Sequence, residues 1–242
     1  MFSSAVLTSV LASVALVSAQ GTVILVSGDL GGNTTSLSFS AGQTAMDTAV
    51  TMFDAKDIKT DGLGKTMDGK PIVRDFKAIL KDYGATLPQV SDGGPVMGLW
   101  RADNAAGGGP LRAILDTTCT GHFSNGTELP VITQIPGEVG TIQAVGVDGR
   151  PQTFPFAFTV SRNVRCEGND EGIAPNCMIK VANGNGYGAI FAIQQRLTGK
   201  NGELPPAVLP SYDYAGPAPY NPNPNAHMAA AAAAPQTCNA PA

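Results

Sequence analysis

Charge is sparse in this 242-residue chain: Asp, Glu, Lys and Arg make up 14% of it, and the net charge is -4. No run or patch of Lys and Arg occurs, so the electrostatic footprint of a nucleic-acid or anionic-membrane surface is missing. Histidine occurs only at His122 and His227, and tryptophan only at Trp100. A Ser-His-Asp triad would have to rest on His122, which sits in a loop-like stretch where a solvated side chain is the ordinary outcome. There is no G-x-S-x-G elbow to present a hydrolase serine and no C-x-x-C pair to begin a zinc site. No apolar run reaches the roughly 20 residues of a membrane-crossing helix.

What is present begins with a secretory pattern. The uncharged apolar run Ala5–Val17 is followed by Val17-Ser18-Ala19 and then Gln20-Gly21, the layout of a signal peptide over residues 1–19. An oxidising exterior makes the four cysteines, Cys119, Cys166, Cys177 and Cys238, an expected pair of disulfides, with three connectivities open. It also makes the tripeptides Asn33-Thr34-Thr35 and Asn125-Gly126-Thr127 usable glycosylation acceptors.

Residues 20–203 read as one domain rich in short strands. Thr22–Ser27, Ser36–Phe39, Val96–Arg101, Leu111–Leu115, Leu129–Gln134, Thr141–Val147, Phe154–Val160, Met178–Val181 and Ala189–Gln194 are apolar or alternating. Glycine and proline clusters such as Gly107–Pro110 and Asn183–Gly186 separate them. That pattern predicts a mainly β fold, an antiparallel sandwich. One helix is expected at Pro71–Tyr83, where Ile72, Val73, Phe76, Ile79, Leu80 and Tyr83 recur at helical spacing, with Pro71 at its start and Gly84 past its end. Residues 204–242, rich in proline and alanine, read as a disordered tail.

Candidate chemistry is thin. Gly64-Lys65-Thr66 looks like the end of a phosphate loop, but Lys59 stands where that pattern needs its first glycine. A polar turn before the helix is the plainer explanation. Copper-dependent polysaccharide oxidases are similar in being secreted β-sandwiches, and they hold the metal with an N-terminal histidine; cleavage at Gln20 or Gly21 does not supply one. A glycoside hydrolase needs two facing carboxylates, and Asp116, Glu128, Glu138, Glu167, Asp170 and Glu171 offer no evident pair. Asn169, Asp170 and Glu171 do not follow the calcium-loop spacing. Trp100, on a strand, is expected in the core, with a carbohydrate-stacking platform as the functional alternative. No catalytic residue, cofactor or metal is assigned.

Four segments resemble the appressorium-associated MAS/GAS-type virulence factors, a family of small secreted fungal proteins. Gly21–Asp29 is similar to the family's opening strand and turn. Gly62-Leu63-Gly64-Lys65-Thr66-Met67 looks like a second family segment without its cysteine. Leu99–Leu111 followed by Cys119 is similar to a third, and Cys177–Gln195 follows the closing signature. Val181 and Ile190 stand where the family has two cysteines, and their joint replacement implies an apolar contact in place of a disulfide. The resemblance then implies Cys166 bonded to Cys177, and Cys119 to Cys238. It also implies secretion and association with infection structures, and carries over no catalytic residue.

The expected function is that of a secreted or wall-associated surface protein acting at host contact by binding a cell-wall polysaccharide or a host surface protein, or as a structural component. The alternative is a polysaccharide-active enzyme on the same scaffold. His122 against a carboxylate and a hydroxyl would favour the enzyme.

Overall fold

Two β-sheets face each other across an apolar core, and a layer of loops with one helix covers the second sheet's other side. The computed structural model describes residues 21–41, 50–54, 57–83, 86–138, 151–170 and 173–196. The expected signal peptide, the strand at Thr141–Val147, Gly84, Glu171, His227, Cys238 and the tail lie outside them. In chain order the elements are β1 (Gly21–Gly28), β2 (Gly31–Thr34), β3 (Thr51–Met52), β4 (Lys65–Thr66), α1 (Phe76–Tyr83), β5 (Gln89–Val90), β6 (Pro95–Ala102), β7 (Leu111–Asp116), β8 (Thr127–Leu129), β9 (Val131–Thr133), β10 (Gln152–Thr159), β11 (Gly168–Asp170), β12 (Ile173–Asn183) and β13 (Tyr187–Gln195).

The first sheet has the order β2-β1-β6-β10-β9, and the second β4-β3-β13-β12-β7-β8, with β11 on β12 and β5 on β13. All pairings are antiparallel except that of β5 with β13. Strand alternation explains how one sheet can serve two cores. From β12, Cys177, Ile179 and Val181 enter the core shared with Trp100, Phe156 and Phe158 of the first sheet. Met178 and Ala182 enter a second core with Ile190 and Ala192, closed by Phe76 and Ile79 of α1, Leu37, Ile58, Ile72 and Phe123. Burying a Phe, Ile or Leu side chain stabilises by about 1.5–3 kcal/mol. The second core is therefore what holds the loop layer down.

Several expectations need correction. The helix starts at Phe76 rather than Pro71. Pro71 bridges Lys65, and the Ile72 amide donates to the Gly64 carbonyl at 3.1 Å, which keeps this stretch extended. Asp75 then caps α1, its Oδ1 accepting from the Ala78 amide at 2.9 Å. Val73, placed on the apolar stripe by the helical spacing, is 55% exposed. Ser36–Phe39 is not a strand: Leu37–Ala41 is a 3-10 helix. The Ser36 hydroxyl accepts from the Ser38 amide at 3.3 Å, a local bond that competes with a sheet ladder. The run Leu129–Gln134 is split at Pro130, where the chain leaves the second sheet as β8 and enters the first as β9. Val181 and Ile190 make no replacement contact of the expected kind. Val181 pairs with Ala189 and Ile190 with Lys180, which puts the two side chains in different cores on opposite faces of the sheet.

Candidate functional site

Trp100 offers no platform. Its side chain is fully buried, Nε1 donates to the Gly107 carbonyl at 2.8 Å, and a Cβ on Gly21 would collide with its ring. Cys166 and Cys177 are bonded, as the family resemblance implies. Cys119 is buried, with a left-handed φ of 60°, and its carbonyl accepts from Arg74 Nη1 at 2.6 Å. Asn33 lies on β2, part-buried, with its Oδ1 accepting from the Ser27 hydroxyl at 2.7 Å. Asn125 is exposed in the 3-10 turn Phe123–Asn125.

Among the described residues, Asp116 and Glu128 are each taken up by partners of their own, and Glu171 and the Asp170 side chain lie outside the described structure. Asp116 is buried and accepts from the Thr118 amide (2.9 Å) and hydroxyl (2.6 Å) and from the Thr120 (2.8 Å) and Gly121 (2.7 Å) amides. Burial alone would raise its pKa, but those hydrogen bonds outweigh it and hold the carboxyl below its ordinary value. Its work is to fold the 116–121 loop. Glu128 makes a two-point pair with Arg112 at 2.9 and 3.1 Å on the sheet edge, which lowers its pKa and raises that of the arginine. Glu138 and Glu167 are exposed.

The feature that sequence reasoning missed is Lys180. It lies on β12 between Ile179 and Val181 and points into the second core, 1% exposed. Its Nζ donates to the Thr60 carbonyl at 2.9 Å and hydroxyl at 3.1 Å, and lies 4.4 Å from the Phe53 ring centroid and 5.3 Å from that of Phe123. Burial pushes its pKa down to about 8, against the opposing pull of Asp57 and Asp61. The turn at 57–60 is thereby fastened to the sheet by one ammonium and by the buried Ile58. The signal was legible only in part: a lysine interrupts an otherwise apolar strand, Cys177-Met-Ile-Lys-Val-Ala182. Nothing in the sequence says what lies above it.

Above it is a pocket of about 520 Å³. Phe53, Leu63, Pro71 and Ile72 supply its apolar surface, and Asp54, Asp61, Lys65 and Lys180 its charges. Lys65 pairs with Asp54 at 2.7 Å. The segment Gly64-Lys65-Thr66 is thus not a simple turn: Lys65–Thr66 is a short strand, and Gly64 and Lys65 line the pocket. Gly62 (φ +97°) and Gly69 (φ +82°) also line it, and a Cβ on either would meet nothing within 4 Å.

Asp61 joins the pocket rim to His122 and Ser124. The Ser124 amide donates to Oδ1 at 2.7 Å, the Ser124 hydroxyl to Oδ2 at 3.1 Å, and His122 Nδ1 stands 3.5 Å from Oδ2. The Ser124 amide above all, then its hydroxyl, holds the Asp61 carboxyl below its usual value. A serine hydrolase orders its triad with the imidazole between carboxylate and hydroxyl. Here the serine hydroxyl and the imidazole both address the same carboxylate, and the His122 side chain is 67% exposed. The cluster fixes an ionised acceptor at the pocket rim.

Among the described residues no helix is long and apolar enough to cross a membrane. Over 189 residues, 74% of this chain and 73% of its relative, the sequence is 25% identical to the appressoria-specific virulence factor GAS1 of Pyricularia oryzae. A family model described as Egh16-like virulence factor matches residues 18–190, which span both sheets, the loop layer and the pocket, and the chain belongs to that family.

Proposed function

We propose that the protein is exported and acts at the fungal surface during host contact as a non-catalytic binding protein. The observation that carries this is the arrangement at Asp61: a carboxylate held ionised by Ser124 at the rim of a pocket, built to accept hydrogen bonds rather than to shuttle a proton. The likeness to an appressoria-specific virulence factor of Pyricularia oryzae supports the setting. The signal pattern at residues 1–19 and the Cys166–Cys177 bond support export.

The test has two parts. Culture filtrate and wall fractions are probed for a chain beginning at Gln20 or Gly21, and the purified protein is passed over chitin, β-glucan and cellulose. Recovery outside the cell with retention on one polymer is the expected result. An uncleaved chain confined to the cytosol contradicts it, and retention on none removes polysaccharide as the ligand.

One observation favours the alternative, a polysaccharide-active enzyme: His122 does lie against a carboxylate and beside a hydroxyl-bearing residue. Release of reducing ends from those polymers, abolished in His122→Ala, would establish it.

A further inference from the structure

The pocket over Lys180 has chemistry specific enough to name a class of ligand. Its charges cancel: Asp54 and Asp61 face Lys65 and Lys180, and Asp54 is already neutralised by Lys65 at 2.7 Å. With that pair closed, an anionic ligand would meet Asp61 and a cationic one Lys180, so neither gains a field of one sign. The rim presents acceptors and donors together, which a hydroxyl can satisfy because it both donates and accepts. A carboxylate offers about four acceptor directions. Ser124 and His122 take three at most on Asp61, leaving a fixed acceptor for an incoming O–H.

The remaining lining is apolar. Phe53, Leu63 and Pro71 supply ring and aliphatic surface of the kind that C–H-rich sugar faces cover, with the buried Ile72 beneath them. The volume of about 520 Å³ falls in the ordinary range of small-molecule sites, about 300–1,000 Å³. Gly62 and Gly69 line the pocket, and a Cβ on either would meet nothing within 4 Å. The site is also rigidly founded, since the turn at 57–60 is bonded to Lys180 and the rim at Asp61 to Ser124. Such anchoring lowers the ordering cost of binding.

We propose that this pocket binds an uncharged pyranose unit of a wall polysaccharide, with Phe53 and its aliphatic neighbours under the sugar face and Asp61 accepting from its hydroxyls. The proposal rests on the binding reading above and assigns that reading a place.

The test is calorimetric titration of the secreted full chain with chitotetraose, cellotetraose, laminaritetraose and, as an anionic comparison, a galacturonate tetramer. Two variants probe the pocket. Asp61→Asn removes the charge with little change of shape. Gly69→Asn puts a side chain into space the fold leaves open, and asparagine tolerates the left-handed backbone there. Ile132→Ser, on an exposed position of β9 in the other sheet, is the control. The expected result is binding of at least one neutral oligosaccharide, weakened roughly tenfold or more by each pocket variant and unchanged by the control, with thermal unfolding of all variants close to that of the parent. Should the parent bind a neutral sugar and both pocket variants bind it equally well, the pocket is not the site, although the binding reading stands. Should the galacturonate tetramer alone bind, the charge argument is wrong. If no sugar binds while the protein is found outside the cell, the ligand class is overturned and export is untouched.

Discussion

Lys180 sets a buried charge against the second core, and its protonation carries a stability cost that depends on pH. In the unfolded chain a lysine keeps its proton to about pH 10.5, whereas in the native state burial brings the value to about 8. Between those values the unfolded chain binds the proton that the native chain has lost, so stability rises with pH across that window, by at most about 3 kcal/mol. Replacing the lysine with methionine keeps the length and removes the charge, a change that is often neutral or stabilising at a buried site. Denaturant unfolding of the parent and Lys180→Met at pH 7, 8.5 and 10 checks this. The variant's advantage is expected to shrink as pH rises, and a constant difference would contradict the assignment.

Asp116 behaves oppositely. Its pKa is lowered in the fold, so the stability it adds is present above the ordinary carboxylate range and is lost as pH falls through the lowered folded value. Asp116→Ala leaves the Thr118, Thr120 and Gly121 amides without their acceptor and is expected to cost about 2–4 kcal/mol in urea unfolding at pH 7. The penalty should narrow in acid.

Among the elements, α1 depends on its cap, and Asp75→Ala is expected to lower stability by about 1 kcal/mol, read as a reduced urea midpoint. The helix also shows what a sequence can and cannot reveal. The buried stripe Ile72, Phe76 and Ile79 is real, but periodicity does not distinguish a residue on a helix from one on an extended segment packed against the same core. Ile72 is buried by a strand-like stretch bonded to Gly64, and Asp75 rather than Pro71 is the start signal. Strands β1, β6, β7, β10, β12 and β13 were legible because long-range pairing agrees with their local pattern. Leu129–Gln134 misled because both halves are strand, and only the sheet each belongs to changes at Pro130. The pocket was not legible at all. Phe53, Asp61, Lys65 and Lys180 are spread across more than half the domain, and only the lysine, Lys180, set in an apolar strand, stands out in its own neighbourhood.

At the scale of the whole molecule, the protein is a sandwich with an added outer layer, and a disulfide ties the segment before β11 to the interior strand β12. Cys166 and Cys177, separated by 11 residues, close a loop whose cross-link contributes about 3 kcal/mol in the chain-entropy picture. Replacing both with serine should lower the thermal midpoint while leaving the sheets formed, as circular dichroism would show. Peptide mapping of the secreted chain without reduction is expected to recover Cys166 joined to Cys177 and Cys119 joined to Cys238. Finding Cys238 alkylated as a free thiol would remove the second bond.

Recognition is proposed for the loop layer rather than for the exposed outer face of the first sheet, where Met97 and Ile132 lie. The most direct measurement is amide chemical-shift mapping of the isotopically labelled full chain, titrated with the neutral oligosaccharide that binds it best. Shifts concentrated at residues 53–54, 60–72 and 180 are the predicted result. Shifts concentrated around Met97, Ile132 and β10, with the pocket residues unmoved, would contradict it.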